Sequence, residues 1–159
     1  MSNALIDRRA VLAGGLALLA LPVAPARAAA KIVVYKDPNC GCCGAWAARM
    51  TAAGFSVEMR VEPRMNRIKA RHGVPDDLVS CHTALVEGYV IEGHVPAEAI
   101  ARLLAERPKL AGLSVPGMPI GSPGMEVAGE KPDPFQVIGF APGAAPVVFA
   151  DYPQGYKPS

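Results

Sequence analysis

Lys31-Ile32-Val33-Val34-Tyr35-Lys36, with Cys40-Gly41-Cys42-Cys43 close behind it, decides the reading of this 159-residue chain. The first stretch is apolar and rich in β-branched residues, the pattern of a buried strand. Asp37-Pro38-Asn39 breaks it, and three thiols then crowd into one short motif. The fourth and last cysteine, Cys81, stands far along the chain beside His82. Thiolates are soft donors and strong nucleophiles, so the pattern points either to soft-metal binding or to disulfide chemistry.

Working outward, Gly44 to Ala53 has good helix propensity and Gly54 ends it. Phe55, Val57, Met59 and Val61 alternate with Ser56, Glu58 and Arg60, which predicts a half-buried strand. Pro63 opens a second helix through Met65, Ile68 and Lys69, stopped near Gly73-Val74-Pro75. Ala84–Glu87 and Tyr89–Glu92 read as two strands of a tight hairpin around Gly88. Pro96 suits the first helical position of a third helix, Ala97 to Glu106, with Ile100, Leu103 and Leu104 on one face. Gly112 to Gly129 is rich in glycine and proline and is expected to be an ordered loop. Phe135–Phe140 and Val147–Tyr152 read as late strands.

The order strand, thiol motif, helix, strand, helix, hairpin, helix matches an α/β, thioredoxin-like core. This predicts a central mixed sheet flanked by helices, with an added C-terminal loop and strands. In such a core the first strand delivers its cysteine loop onto the start of the first helix, and the loop before the hairpin lies against it. Here that loop is Ser80-Cys81-His82-Thr83, so the topology predicts that Cys81 meets Cys40, Cys42 and Cys43.

The N-terminus carries Arg8-Arg9, an apolar run through Leu21, and Ala26-Arg27-Ala28. A charged start, a short apolar stretch and an A-x-A site read as an export signal over residues 1–28, and the paired arginines suggest the twin-arginine route. The apolar part is shorter than the roughly 20 residues of a spanning helix, although a membrane-anchored N-terminus is the alternative reading. Residues 29–159 then form one domain with no membrane span. Removing residues 1–28 takes three of the 16 Lys+Arg and one of the 14 Asp+Glu, so the remainder is neutral. No basic patch is left to suggest nucleic-acid binding. Export implies an oxidising setting, where structural disulfides also form. A bridge inside Cys40 to Cys43 closes so small a loop that it contributes little stability.

Tyr35-Lys36-Asp37-Pro38-Asn39-Cys40-Gly41-Cys42-Cys43, Ser80-Cys81-His82-Thr83, Gly88-Tyr89-Val90-Ile91-Glu92-Gly93-His94-Val95-Pro96 and Val115-Pro116-Gly117-Met118-Pro119 together resemble exported copper-resistance proteins of the CopG type. The resemblance spans about Lys31 to Tyr152. It implies a thioredoxin-like fold, a periplasmic location and copper bound by Cys40, Cys42, Cys43 and Cys81, with His82 in the family's Cys-His pair.

The residues fit copper on their own terms. Cu(I) prefers two or three sulfurs, and four exceed the need of one ion. Cys42 and Cys43 are neighbours whose sulfurs are not expected to close easily around a single ion, which favours a site with more than one Cu(I). A helix starting near Cys43 would favour thiolates. Zinc on three cysteines plus Cys81 or His82 is the main metal alternative, and an iron–sulfur cluster fits no ferredoxin spacing. Cys40 and Cys43 also form a C-x-x-C, so a periplasmic thiol-disulfide oxidoreductase is the rival function. A module that hands copper to a transfer partner would use the same site.

Met118 and Met125 could cover or ligate Cu(I), but plugging a gap over the core is the plainer expectation. Met50, Met59 and Met65 fit core packing. His72 reads as a helix-end cap, His94 as a cap or turn residue, and Trp46 as a shield or packing residue.

Overall fold

A computed structural model describes residues 29–157. The expected export signal, residues 1–28, lies outside the described residues. The chain builds one seven-stranded mixed sheet in the order β2-β1-β3-β4-β5-β6-β7. The strands are β1 (Lys31–Lys36), β2 (Ser56–Val61), β3 (His82–Val86), β4 (Tyr89–Glu92), β5 (Gly112–Ser114), β6 (Phe135–Phe140) and β7 (Val147–Tyr152). The helices are α1 (Cys42–Ala52), α2 (Met65–Arg71) and α3 (Ala97–Glu106). The first seven elements follow the order expected of a thioredoxin-like core. β1 and β2 pair parallel, while β3 runs antiparallel to both β1 and β4.

Alternation along the strands sorts the two faces. Ile32, Val34, Ala84, Val86 and Ile91 join Trp46 and Met50 of α1 and Ile100 and Leu103 of α3 in the main core. Side chains of this size each stabilise by about 1.5–3 kcal/mol when fully buried. The opposite face carries Val90, Phe140, Val74 and Leu78 in a smaller cluster, and α2 packs over β3 and β1. The hairpin turns at Glu87 and Gly88 with φ of 44° and 89°. Positive φ at both positions matches the right-handed twist of the flanking strands.

Three expectations change. β2 is an edge strand, so Met59 and Val61 are 39% and 63% exposed, rather than alternating into a core. Pro96 caps α3 from outside, with an extended ψ of 146°, instead of starting it. Gly112 to Ser114 is a fully buried strand rather than part of a loop. It pairs parallel to β4 and antiparallel to β6, tying the C-terminal strands to the core sheet. Its three residues are too short to show a period, and glycine argues locally against a strand. The glycine is there because a Cβ would run into the Val90 carbonyl and approach the Phe140 ring to 2.8 Å. Gly112→Ala should therefore cost about 2 kcal/mol or more by overpacking. Urea unfolding checks this; an unchanged midpoint would contradict the close approach of β4 and β5.

Candidate metal centre

Both cysteine motifs leave the same end of neighbouring strands. Lys36, the last residue of β1, pairs with His82, the first of β3. Beyond Lys36 the chain turns through Asp37, whose Oδ1 accepts the Asn39 N–H at 2.8 Å, while its carbonyl accepts the Cys40 N–H at 3.1 Å. The Lys36 ammonium reaches forward to the Cys40 carbonyl at 2.9 Å. α1 begins at Cys42, two residues earlier than propensity suggested, so Cys42 and Cys43 lie in its first turn. No acidic side chain competes there, and unpaired N–H groups favour negative charge.

The four sulfurs converge as the topology predicted. Cys42 Sγ is 3.6 Å from Cys40 Sγ and 3.8 Å from Cys81 Sγ, and Cys43 Sγ is 3.9 Å from Cys81 Sγ. All four lie within 4.8 Å of one another. Backbone adjacency therefore does not splay Cys42 and Cys43 as expected. The shorter separations match the roughly 3.8 Å edge of a tetrahedron with metal–sulfur bonds of about 2.3 Å. Cys40 and Cys43 are joined as a disulfide with a Cα–Cα distance of 5.7 Å, and Cys42 and Cys81 are free thiols. A four-thiolate site is accordingly a property of the reduced chain.

Two histidines complete the surroundings. His82 is fully buried, its Nδ1 lies 3.2 Å from Cys81 Sγ, and its Nε2 has no hydrogen-bond partner. Its ring packs on Trp46 at a centroid distance of 4.5 Å. Trp46 is itself held by its indole N–H on the Val95 carbonyl at 2.9 Å, a packing role as expected. His94, read from sequence as a cap, is instead fully buried with Nε2 3.0 Å from Cys81 Sγ. Its Nδ1 faces the Pro123 carbonyl at 2.8 Å. A carbonyl only accepts, so Nδ1 carries the proton and Nε2 presents its lone pair to Cys81. Burial holds both imidazoles below the usual histidine range, His82 well below it, which favours their neutral, ligating form.

The Pro123 carbonyl belongs to an ordered strap. Gly124, at φ 85°, lies so close to α1 that a Cβ would come within 2.5 Å of the Trp46 backbone nitrogen. Glu126 accepts the Gly124 N–H at 2.9 Å and pairs with Arg49 of α1 at 2.9 Å. Met125 is half-buried in this strap, but Met118 is 53% exposed and plugs no core gap.

Behind Cys81, on the α2 face, lies a network the sequence reading missed. Glu92, fully buried, accepts from the Lys69 ammonium, from the Ser80 N–H at 2.6 Å and from the Thr83 hydroxyl at 2.7 Å. These contacts hold the Ser80 backbone and the Thr83 side chain, on either side of Cys81-His82. Burial pushes the Glu92 carboxyl up, and Lys69, Thr83 and Ser80 oppose that shift. The available signal was a carboxylate ending the apolar strand Tyr89-Val90-Ile91.

Residues 78–125 match a family model described as a protein of unknown function, DUF411. That span holds Cys81, His82, His94 and Pro123, but not the C-x-C-C motif. No curated protein matches the chain. Two solved structures do, named copper resistance protein CopG, form 2 and form 1. The first is 46% identical, with a TM-score of 0.75, covering 79% of this chain and 99% of that one. The chain belongs to the CopG family of copper resistance proteins. The second structure is 47% identical, with a TM-score of 0.73, covering 77% of this chain and 97% of that one. The resemblance read from the cysteine, hairpin and Val115–Pro119 motifs is thereby borne out. Among the described residues, no helix is long and apolar enough to cross a membrane.

Burial, followed by the neighbouring Cys42, pushes the Cys81 thiol up to about 12. At neutral pH Cys81 is therefore protonated, and a metal must displace that proton. Raising pH removes the competitor, so affinity for a Cys81-bound metal should rise about tenfold per pH unit between about pH 6 and 8 from this thiol alone. Titrations of the reduced protein across that range check it, and a flat profile would contradict it.

Proposed function

We propose that the protein is an exported, periplasmic copper-binding protein of copper resistance, with residues 1–28 as its signal. Cu(I) is its cargo, held by the thiolates of Cys40, Cys42, Cys43 and Cys81, with His82 as an additional donor. The observation that carries this reading is the convergence of four sulfurs from two distant motifs to within 4.8 Å. The copper-resistance relatives support the choice of metal.

Four clustered thiolates repel one another, and a single Cu(I) neutralises only one of their charges. More than one Cu(I), bridged by sulfur, balances the site better and satisfies the preference of each ion for two or three soft ligands. The half-buried Cys42 side of the cluster, flanked by exposed Gly41 and Gly44, is the face from which a copper-transfer partner would take its cargo.

One observation favours a second reading. The Cys40–Cys43 disulfide is the redox pair that a thiol-disulfide oxidoreductase would use. Against it stands Cys42, 3.6 Å from Cys40, where a third thiol competes for the pair. Cys81 also faces the motif, its sulfur 3.8 Å from that of Cys42 and 3.9 Å from that of Cys43.

An anaerobic Cu(I) titration of the reduced protein against a competing chelator separates the two. The expected result is more than one Cu(I) per chain, and a lower stoichiometry in Cys81→Ser. Weak binding with a readily cycling Cys40–Cys43 disulfide would establish the oxidoreductase reading instead. Undiminished binding by Cys81→Ser would remove Cys81 from the site.

A further inference from the structure

Cys81 belongs to two groups of donors. One is the four-sulfur cluster; the other is Cys81, His82 and His94, whose ligand atoms also lie within 4.8 Å of one another. The Cys40–Cys43 disulfide takes two thiols out of the first group and none out of the second. The second group has a different chemical preference. Imidazole with a single thiolate suits a borderline divalent ion, whereas Cu(I) seeks sulfur.

Hydrogen-bond accounting around Cys81 leaves an acceptor over. The Pro123 carbonyl fixes the His94 proton on Nδ1, so the Nε2 lone pair, 3.0 Å from Cys81 Sγ, needs a donor. The single Cys81 proton can serve it. His82 Nδ1, 3.2 Å from the same sulfur, then either lacks a donor or carries the proton itself. In the second case the lone pair moves to Nε2, which has no partner. Either way a fully buried imidazole keeps an unmet lone pair, an expensive arrangement. A cation among Cys81 Sγ, His82 Nδ1 and His94 Nε2 meets both imidazole lone pairs and the thiolate as the Cys81 proton leaves, with the His82 proton then on Nε2, which has no partner. The sulfur–nitrogen separations of 3.0 and 3.2 Å fall a few tenths inside the roughly 3.5 Å edge expected for tetrahedral zinc. The Pro123 carbonyl on His94 supplies the outer hydrogen bond that orients ligating histidines. Cys42 Sγ lies 3.8 Å from Cys81 Sγ but outside this three-donor group.

We propose that Cys81, His82 and His94 form a three-ligand site for one divalent ion of the zinc class, available when the Cys40–Cys43 disulfide is closed. Oxidation thus exchanges a soft four-thiolate site for a harder mixed one. The exchange balances with a low-molecular-weight disulfide as oxidant. The Cys40 and Cys43 sulfurs form a bond, the external S–S bond breaks, and two protons and two electrons pass to give two external thiols.

Cobalt(II) is the probe, titrated into the disulfide form of the protein and into the double variant Cys40→Ser, Cys43→Ser. One Co²⁺ per chain is expected in both, with intense tetrahedral ligand-field bands and a thiolate charge-transfer band, displaced by Zn²⁺. His94→Gln and His82→Gln, in the disulfide form, should each weaken binding at least tenfold. Weak octahedral bands, no binding by the disulfide form, or full affinity in His94→Gln would overturn the proposal. If the double variant does not fold, the disulfide form of the unaltered chain decides the matter. The site uses neither Cys40 nor Cys43, so a failed Cu(I) titration of the reduced protein would leave this result standing.

Discussion

The pairing of β1 with β3 is the constraint on which the site depends. Its register sets Lys36 opposite His82, so the C-x-C-C loop and Cys81 emerge at the same edge of adjacent strands. A one-residue slip of β3 would turn His82 away from Trp46 and take Ala84 and Val86 out of the main core. The register is held by burial, because Ile32, Val34, Ala84 and Val86 all lie in the main core at 0–1% exposure. The chemistry of the site is thus specified by apolar residues that never touch it.

Polar groups then fix the cysteines from two sides. Below the sheet, Glu92 grips the backbone at Ser80 and the side chain of Thr83, with Lys69 as its counterion. A buried ion pair of this kind adds little net stability, but removing one partner costs about 3–5 kcal/mol. Its value here is positional, since it immobilises the segment carrying Cys81. Above the sheet, the strap through Pro123 and Gly124 orients His94 and lies on the first turns of α1. The sulfur cluster therefore sits between two rigid supports, consistent with holding several ligands in one geometry.

Much of this could be read from residue order. β1, α2, the hairpin, α3, β6 and β7 follow periodicity and turn chemistry closely, and the meeting of Cys81 with Cys40, Cys42 and Cys43 follows from topology. What could not be read has local physical causes. β5 is three residues long, and its Gly112 reflects contact with Val90, a neighbour remote in sequence. Met59 alternates as a core residue would, yet β2 lies at an edge where that alternation meets solvent. His94 follows a glycine before a helix and looks like a cap. Only the strap, through the Pro123 carbonyl, reveals that its ring points at Cys81. The likeness to copper-resistance structures covers the described fold and supports the metal, while the donor set rests on the distances within this chain.

The central claim is that two separate cysteine motifs form one copper site. Alkylation of each cysteine in the reduced protein, read by mass spectrometry with and without Cu(I), tests it most directly. The account predicts that Cu(I) protects Cys40, Cys42, Cys43 and Cys81 together. Protection confined to the C-x-C-C motif, with Cys81 alkylated at the same rate as in the copper-free protein, would contradict it.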